Sequence, residues 1–458
     1  MKNLDPKKRN TINNNKAGSS LFVFIFLLAS CYGPSAFSSE IISNAVSSFK
    51  LNLSQVLARA QENSLLIRVA CQQVRQAAGR KQQADAQLLP NLSLGGAQMK
   101  VFRENLDSLG FPGGGNLGPL KTFDARAQLV QRVFDLSALS RHQAGSVELR
   151  IADFEQDLAR QQVTLTAAMT YLAVLNAQER LKAIEKDKAL AQQILTLAQH
   201  QFDDGIAARI DVTRAKTRLA QEEFLYQEGL LDLDRADLQL KRITSFPLGN
   251  PLELTDTLKF FEETALSLED AIDTAEAQRI EIKITGQEVQ YAKYKLQEAR
   301  NQNFPQVALM GDIGRAGTDI SKKTSEVSEI GLQVKWPVFD GGRIIGEVKE
   351  AAGKKQENEM IRDDTQIQVE EDVRLALKTL TSSKQQVLAA EQTVILAAEE
   401  VSLARNQFAS GLSNNLEVIT AQTKLAEARE SYTAALTQYH IARMNYYSAI
   451  GSIESFHL

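Results

Sequence analysis

The sequence predicts a mainly helical protein with a membrane β-barrel section, built from a duplicated helix–strand–strand–long helical hairpin unit. Three observations carry this reading. The chain is written twice, each copy holds strands of alternating polarity, and each strand pair leads into a helical run too long for a globular core.

The duplication rests on five landmarks in one order. Leu51-Asn-Leu-Ser-Gln-Val-Leu57 returns as Leu266-Ser-Leu-Glu-Asp-Ala-Ile272, and Pro90 returns as Pro305 at the same spacing. Val133-Phe134-Asp135 matches Val338-Phe339-Asp340, and Gln201-Phe202-Asp-Asp-Gly205 matches Gln407-Phe408-Ala-Ser-Gly411. Asp211-Val-Thr-Arg-Ala-Lys-Thr-Arg-Leu219 then matches Glu417-Val-Ile-Thr-Ala-Gln-Thr-Lys-Leu425. Self-similarity over such a span marks a repeated structural unit. The first repeat is expected over 50–245, a linker over 246–265 and the second repeat over 266–451.

Each copy opens on a stretch of strong helix formers, about 53–88 and 268–303, expected as one helix that stops before Pro90 or Pro305. Barrel strands are expected within about 91–134 and 306–337, near 91–102, 122–134, 306–316 and 326–337. Phe123, Ala125, Ala127 and Leu129 alternate with Asp124, Arg126 and Gln128; Ile330, Leu332, Val334 and Trp336 alternate with Glu329, Gly331, Gln333 and Lys335. Alternation over about ten residues suits a strand with lipid on one side and a wet lumen on the other, though a soluble sheet alternates equally well. Four strands cannot close, because the smallest transmembrane barrels have about eight. Two chains would supply eight and three would supply twelve, and spacing does not choose between them.

The hairpins are expected at about 140–243 and 342–449, reversing at Gly205 and Gly411, where glycine supplies the positive φ of a tight helix end. A run from 140 to 202 would reach roughly 90 Å at 1.5 Å per residue, far beyond a bilayer. Ile184, Leu190, Ile194, Leu197, Ala198 and Gln201-Phe202 recur at spacings that suit a coiled-coil seam. Ala167, Ala168, Ala173, Ala177, Ala389, Ala390, Ala397 and Ala398 would allow close helix packing.

Lys2, Lys7, Lys8, Arg9 and Lys16 precede an apolar run from Leu21 to Ala29, the pattern of a secretory leader over 1–30. Leu28-Ala29-Ser30-Cys31 resembles a lipobox and makes Cys31 a lipidation candidate; Ala36-Phe37-Ser38 offers ordinary cleavage after 38. Cys71 is the only other cysteine, so no intrachain disulfide is expected in the mature chain.

A net charge of −4 recommends no nucleic-acid partner. Gly113 to Gly118 fits a dinucleotide fingerprint only formally, lying between Pro112 and Pro119 with no strand before it and no helix after it. Residues 103–121 are expected as an extracellular loop, with 317–325 as its shorter counterpart. His142, His200, His440 and His457 lack metal-site spacing, and no catalytic constellation stands out, so neither a cofactor nor an enzyme is expected. An adaptor would carry one hairpin between β-domains, and an envelope coiled coil would leave Pro90, Pro305 and the strands unexplained.

The turn-and-return motif Phe408-x-x-Gly411-x-x-x-x-x-Glu417-Val-x-x-Ala421-Gln-x-x-Leu425, its copy from Phe202 to Leu219, and Trp336-Pro-Val-Phe-Asp-Gly-Gly342-Arg resemble the TolC-like outer membrane efflux protein family. The resemblance spans about 50–450. It implies a homotrimer in outer-membrane lipid, with a 12-strand barrel over a 12-helix periplasmic tunnel. It also implies a periplasmic adaptor and an inner-membrane pump as partners, and passive conduction through the duct. Glu417 then falls on a position that narrows the tunnel entrance, with Thr420 replacing a second acid; Asp211 matches a first-copy acid that takes part in gate links, and Ser413 replaces a basic residue. Acids in a first helical turn also serve as caps, and the two roles are compatible. Asp203 and Asp204 would add negative potential at the same tip.

Overall fold

A computed structural model describes residues 49–101, 104–105, 116–117 and 120–458. The leader, Cys31 and most of the 103–121 loop lie outside these residues.

The first copy comprises β1 (Phe49–Leu51), α1 (Leu53–Asn63), α2 (Leu65–Ala86), β2 (Asn91–Val101), the short β3 (Glu104–Asn105) and β4 (Asn116–Leu117), β5 (Leu120–Phe134), α3 (Leu136–Asp203) and α4 (Arg209–Ile243). After β6 (Leu252–Leu254), the second copy repeats the plan as α5 (Leu268–Gln278), α6 (Ile280–Asn301), β7 (Gln306–Gly317), β8 (Ser325–Lys335), α7 (Arg343–Ala409) and α8 (Asn415–Ala449). At 68 and 67 residues, α3 and α7 each extend about 100 Å. Among the described residues no helix is long and apolar enough to cross a membrane.

The four long strands form one antiparallel sheet in the order β2-β5-β7-β8, with a register shift between Arg132 and Phe134. Its two faces differ. Directly paired residues share a face, which places Leu92, Leu94, Ala127, Leu129, Leu309, Ile313, Ile330, Leu332 and Val334 together. Leu94 is 78% exposed and Ile330 79% exposed, so this face has no protein cover within the chain. The opposite face carries Asp124, Arg126, Gln128, Asp312, Glu329 and Gln333. An uncovered apolar sheet of this height, backed by a charged face, has the polarity of a barrel wall between lipid and water.

Each expected opening helix is instead broken in two, at Ser64 and at Arg279, 215 residues apart as the repeat requires. Both residues adopt extended backbone (ψ 129° and 127°), while their N–H groups still donate to Ala60 and Ala275 carbonyls. Tertiary contacts hold the second break. The Arg279 guanidinium reaches Glu281 at 3.0 Å, Asp372 at 3.2 Å and the Ala449 carbonyl at 3.3 Å. Gly451 (φ +77°) packs so closely there that a Cβ would sit 3.1 Å from the Gln278–Arg279 backbone. Ser64 makes no side-chain cap, and nothing in the structure explains the first break in the same way.

Two larger apolar cores and a small third one around Ala60, Val163 and Ala167 hold the helices. One gathers Val56, Tyr171, Leu172, Leu175, Val373, Leu380, Leu436, Tyr439 and Met444 halfway along the hairpins. The linker straps this core to α8. Tyr439 donates from its hydroxyl to the Phe261 carbonyl at 2.9 Å, and Arg443, wholly buried, binds Glu263 and lies 3.8 Å from the Phe261 ring centroid. The second core, near the tips, packs Ile194, Ala198 and Val212 against Val401, Phe408, Val418 and Leu425. Ala167, Ala168, Ala177 and Ala397 are buried, whereas Ala173, Ala389 and Ala398 are exposed in the single chain.

Candidate functional site

The tip is built by two equivalent helix ends. At the end of α3, Gly205 (φ +78°) donates to the Phe202 carbonyl at 3.0 Å and Ile206 donates to Gln201 at 2.8 Å. At the end of α7, Gly411 (φ +71°) and Leu412 repeat these bonds to Phe408 and Gln407, at 3.0 and 2.9 Å. This Schellman arrangement satisfies carbonyls a helix end otherwise leaves free, and a left-handed residue with a Cβ would cost about 1–2 kcal/mol.

Asp211 is buried in the first turn of α4. Its Oδ2 accepts from the Ala208 N–H at 3.2 Å, so it caps the helix, and Arg214 lies 3.5 Å from Oδ1. Asn415, fully buried at the start of α8, donates from Nδ2 to the Asp211 carbonyl at 2.9 Å. Gln201 makes a second link between the hairpins, donating to the Phe408 carbonyl at 2.8 Å. Neither Asn415 nor Gln201 was among the gate candidates; Gln201 was marked only by its place in the expected seam and in the Gln-Phe pair preceding each turn.

Glu417 is exposed in the first turn of α8, with no ion-pair partner among the described residues. It borders a groove of about 510 Å³ between α7 and α8, with Glu399, Glu400, Leu403 and Thr420. Asp203 and Asp204 are exposed at the turn of α3, and Asp203 accepts from Gln199 at 3.0 Å. Within one chain the structure brings Asp211 into contact with α8 but leaves Glu417, Asp203 and Asp204 on open surface.

Toward the end of α3, the buried stripe Ile184, Asp187, Ala191, Ile194, Ala198, Gln201 runs at alternating spacings of three and four, with Asp187 about 24 Å from the helix end. The sequence seam is therefore real but has a carboxylate in it. Asp187 pairs with Arg429 of α8, and its carbonyl accepts from Gln422 at 3.3 Å. Glu222 of α4, 1% exposed, pairs with Arg218 at 2.5 Å. Burial pushes both carboxyls above the usual carboxylate range, despite the nearby arginines. Such buried pairs are strongly destabilising to break; Asp187–Arg429 joins α3 to α8, whereas Arg218–Glu222 lies within α4.

The sequence profile described as Outer membrane efflux protein matches residues 56–245 and 271–452, one match in each copy. The chain belongs to this family. It is therefore an outer-membrane channel of the kind used in efflux and secretion. Alkaline protease secretion protein AprF of Pseudomonas aeruginosa is 25% identical over 335 residues, covering 70% of this chain and 68% of AprF. Outer membrane protein TolC of Escherichia coli K12 is 23% identical over 426 residues, covering 88% and 82%. Among solved structures, the Campylobacter jejuni CmeC outer membrane channel superposes with a TM-score of 0.77 at 20% identity, covering 88% and 87%. That likeness carries the fold, with its barrel and helical tunnel.

Proposed function

We propose that three copies of this chain assemble into one duct that passively conducts cargo from an inner-membrane pump and a periplasmic adaptor to the cell exterior. The observation that carries this reading is the sheet itself. It ends on two unpaired strands, β2 and β8, and its directions alternate so that β8 of one copy can pair antiparallel with β2 of the next. Unpaired edges cannot stand in lipid, so closure must come from other copies. Twelve strands from three copies agree with the family resemblance. No nucleotide motif is evident in the sequence, so energy is supplied by the pump, and the pump selects the cargo.

In the assembled tip, Glu417 and the exposed Asp203 and Asp204 ring the entrance, while Asp211 and Asn415 hold α4 and α8 in the closed arrangement. Cys31, when lipidated, adds an anchor in the inner face of the outer membrane. Purified protein added to a planar bilayer is expected to give stepwise conductance increments. A protein that binds the bilayer without conducting would overturn the duct.

A further inference from the structure

Arg126 stands near the middle of β5, and its neighbours are unusually specific. Its Nε donates to Asp124 Oδ1 at 2.8 Å, one terminal nitrogen to Asp124 Oδ2 at 2.7 Å, and the other to Asp312 Oδ1 on β7 at 3.1 Å. The residue directly paired with Arg126 across the ladder is Gly314. A Cβ there would fall 2.1 Å from the Ala125 carbonyl, 2.7 Å from Arg126 Cα and 2.8 Å from Arg126 Cγ. Only glycine leaves room for the arginine to cross β7 and reach Asp312.

The same face holds a second oddity. Asp312 pairs directly with Glu329 of β8, and Glu329 is exposed with no ion-pair partner among the described residues. Like charges directly opposite each other destabilise a sheet. Mid-height charges on the lipid side would cost about 2–4 kcal/mol each for a basic residue, so this face lines the lumen. Each chain thus presents three carboxylates and one guanidinium on the lumen face, within four residues of one another along the strand register.

We propose that Arg126, pinned by Asp124 and Asp312 over Gly314, sets the ionic preference of the barrel lumen by partly neutralising an acidic girdle completed by Glu329. The inference rests on the closed multi-chain barrel. Held flat against the wall by two carboxylates, the guanidinium leaves the lumen clear yet subtracts one negative charge per chain. Two charges remain uncompensated in each copy, and closure repeats them around the pore. Rings of acidic side chains favour cations, so the barrel adds a cation preference of its own, separate from that of the tip.

The test is the reversal potential of the purified complex in a planar bilayer under a potassium chloride gradient. Arg126→Gln is expected to raise the potassium-to-chloride permeability ratio about twofold or more, whereas Arg126→Lys stays near the parent value. Glu329→Gln, which removes an exposed and unpaired group, is expected to lower the ratio even if Arg126→Gln weakens the fold. Equal reversal potentials for the parent, Arg126→Gln and Glu329→Gln would overturn the assignment. A parent protein that does not conduct would instead overturn the duct, so the two failures are distinguishable.

Discussion

The buried amide of Asn415 donates to the backbone carbonyl of Asp211 at 2.9 Å, which ties the first turn of α8 to the first turn of α4. The two helices belong to different copies of the repeat, and each follows its own glycine reversal. A relative movement of the hairpins at the tip must break this bond or carry both helices together. An unmade buried hydrogen bond costs about 1–3 kcal/mol, so separating the two turns has a defined but modest cost.

Replacing Asp211 and Glu417 together with Ala is therefore expected to raise single-channel conductance and the leakage of antibiotics into cells. Asp211→Ala removes the cap on Ala208, and Glu417→Ala removes the exposed acid in the first turn of α8. Conductance and leakage equal to the parent's would remove both residues from the gate.

His440 gives the account a pH dependence of definite sign. Its Nε2 faces the Lys259 carbonyl at 3.2 Å, and its Nδ1 faces an Arg443 guanidinium nitrogen at 3.2 Å. The carbonyl requires a proton on Nε2 and the guanidinium requires a lone pair on Nδ1, so the ring is held neutral. Burial, and then the charge of Arg443, lowers its pKa to about 4. The folded chain binds fewer protons than the unfolded chain between about pH 4 and 6.5. The His440 contribution is thus complete above pH 6.5 and lost as pH falls toward 4, at most about 3 kcal/mol per chain. Asp187 and Glu222 act oppositely, since their raised pKa values relieve a burial penalty as pH falls. Thermal midpoints at pH 7 and pH 5 are expected to differ less in His440→Gln than in the parent; an unchanged acid sensitivity would contradict the assignment.

An epitope inserted beside Gly114 is expected to be labelled on intact cells, because β2 and β5 lead toward the end of the sheet opposite the hairpins. Labelling only after the outer membrane is broken would reverse the topology.

The sequence revealed what depends on local chemistry and periodicity. Alternation located the strands, and Gly205 and Gly411 marked the reversals because no other residue takes positive φ so cheaply. What depends on distant partners was hidden. Nothing local marks Arg279 as a break, since its extended backbone is held by Asp372 and Ala449, both far along the chain. Asp187 resembles any solvated helix acid until Arg429 is placed beside it. Gly314 has no local feature that sets it apart from other strand glycines, and only the pairing with Arg126 shows what its missing side chain permits. At the tip, the family resemblance singled out Asp211 and Glu417, and Gln201 was marked only by its place in the seam and in the Gln-Phe pair, whereas Asn415 carries no charge or motif to single it out.

The central claim is closure by several copies, and the mass of the intact complex tests it most directly. Native mass spectrometry of protein extracted from membranes in mild detergent is expected to give three chains, with acyl mass on a chain beginning at Cys31 where the lipobox is used. A stable single chain under the same gentle extraction would leave β2 and β8 without partners and contradict the duct.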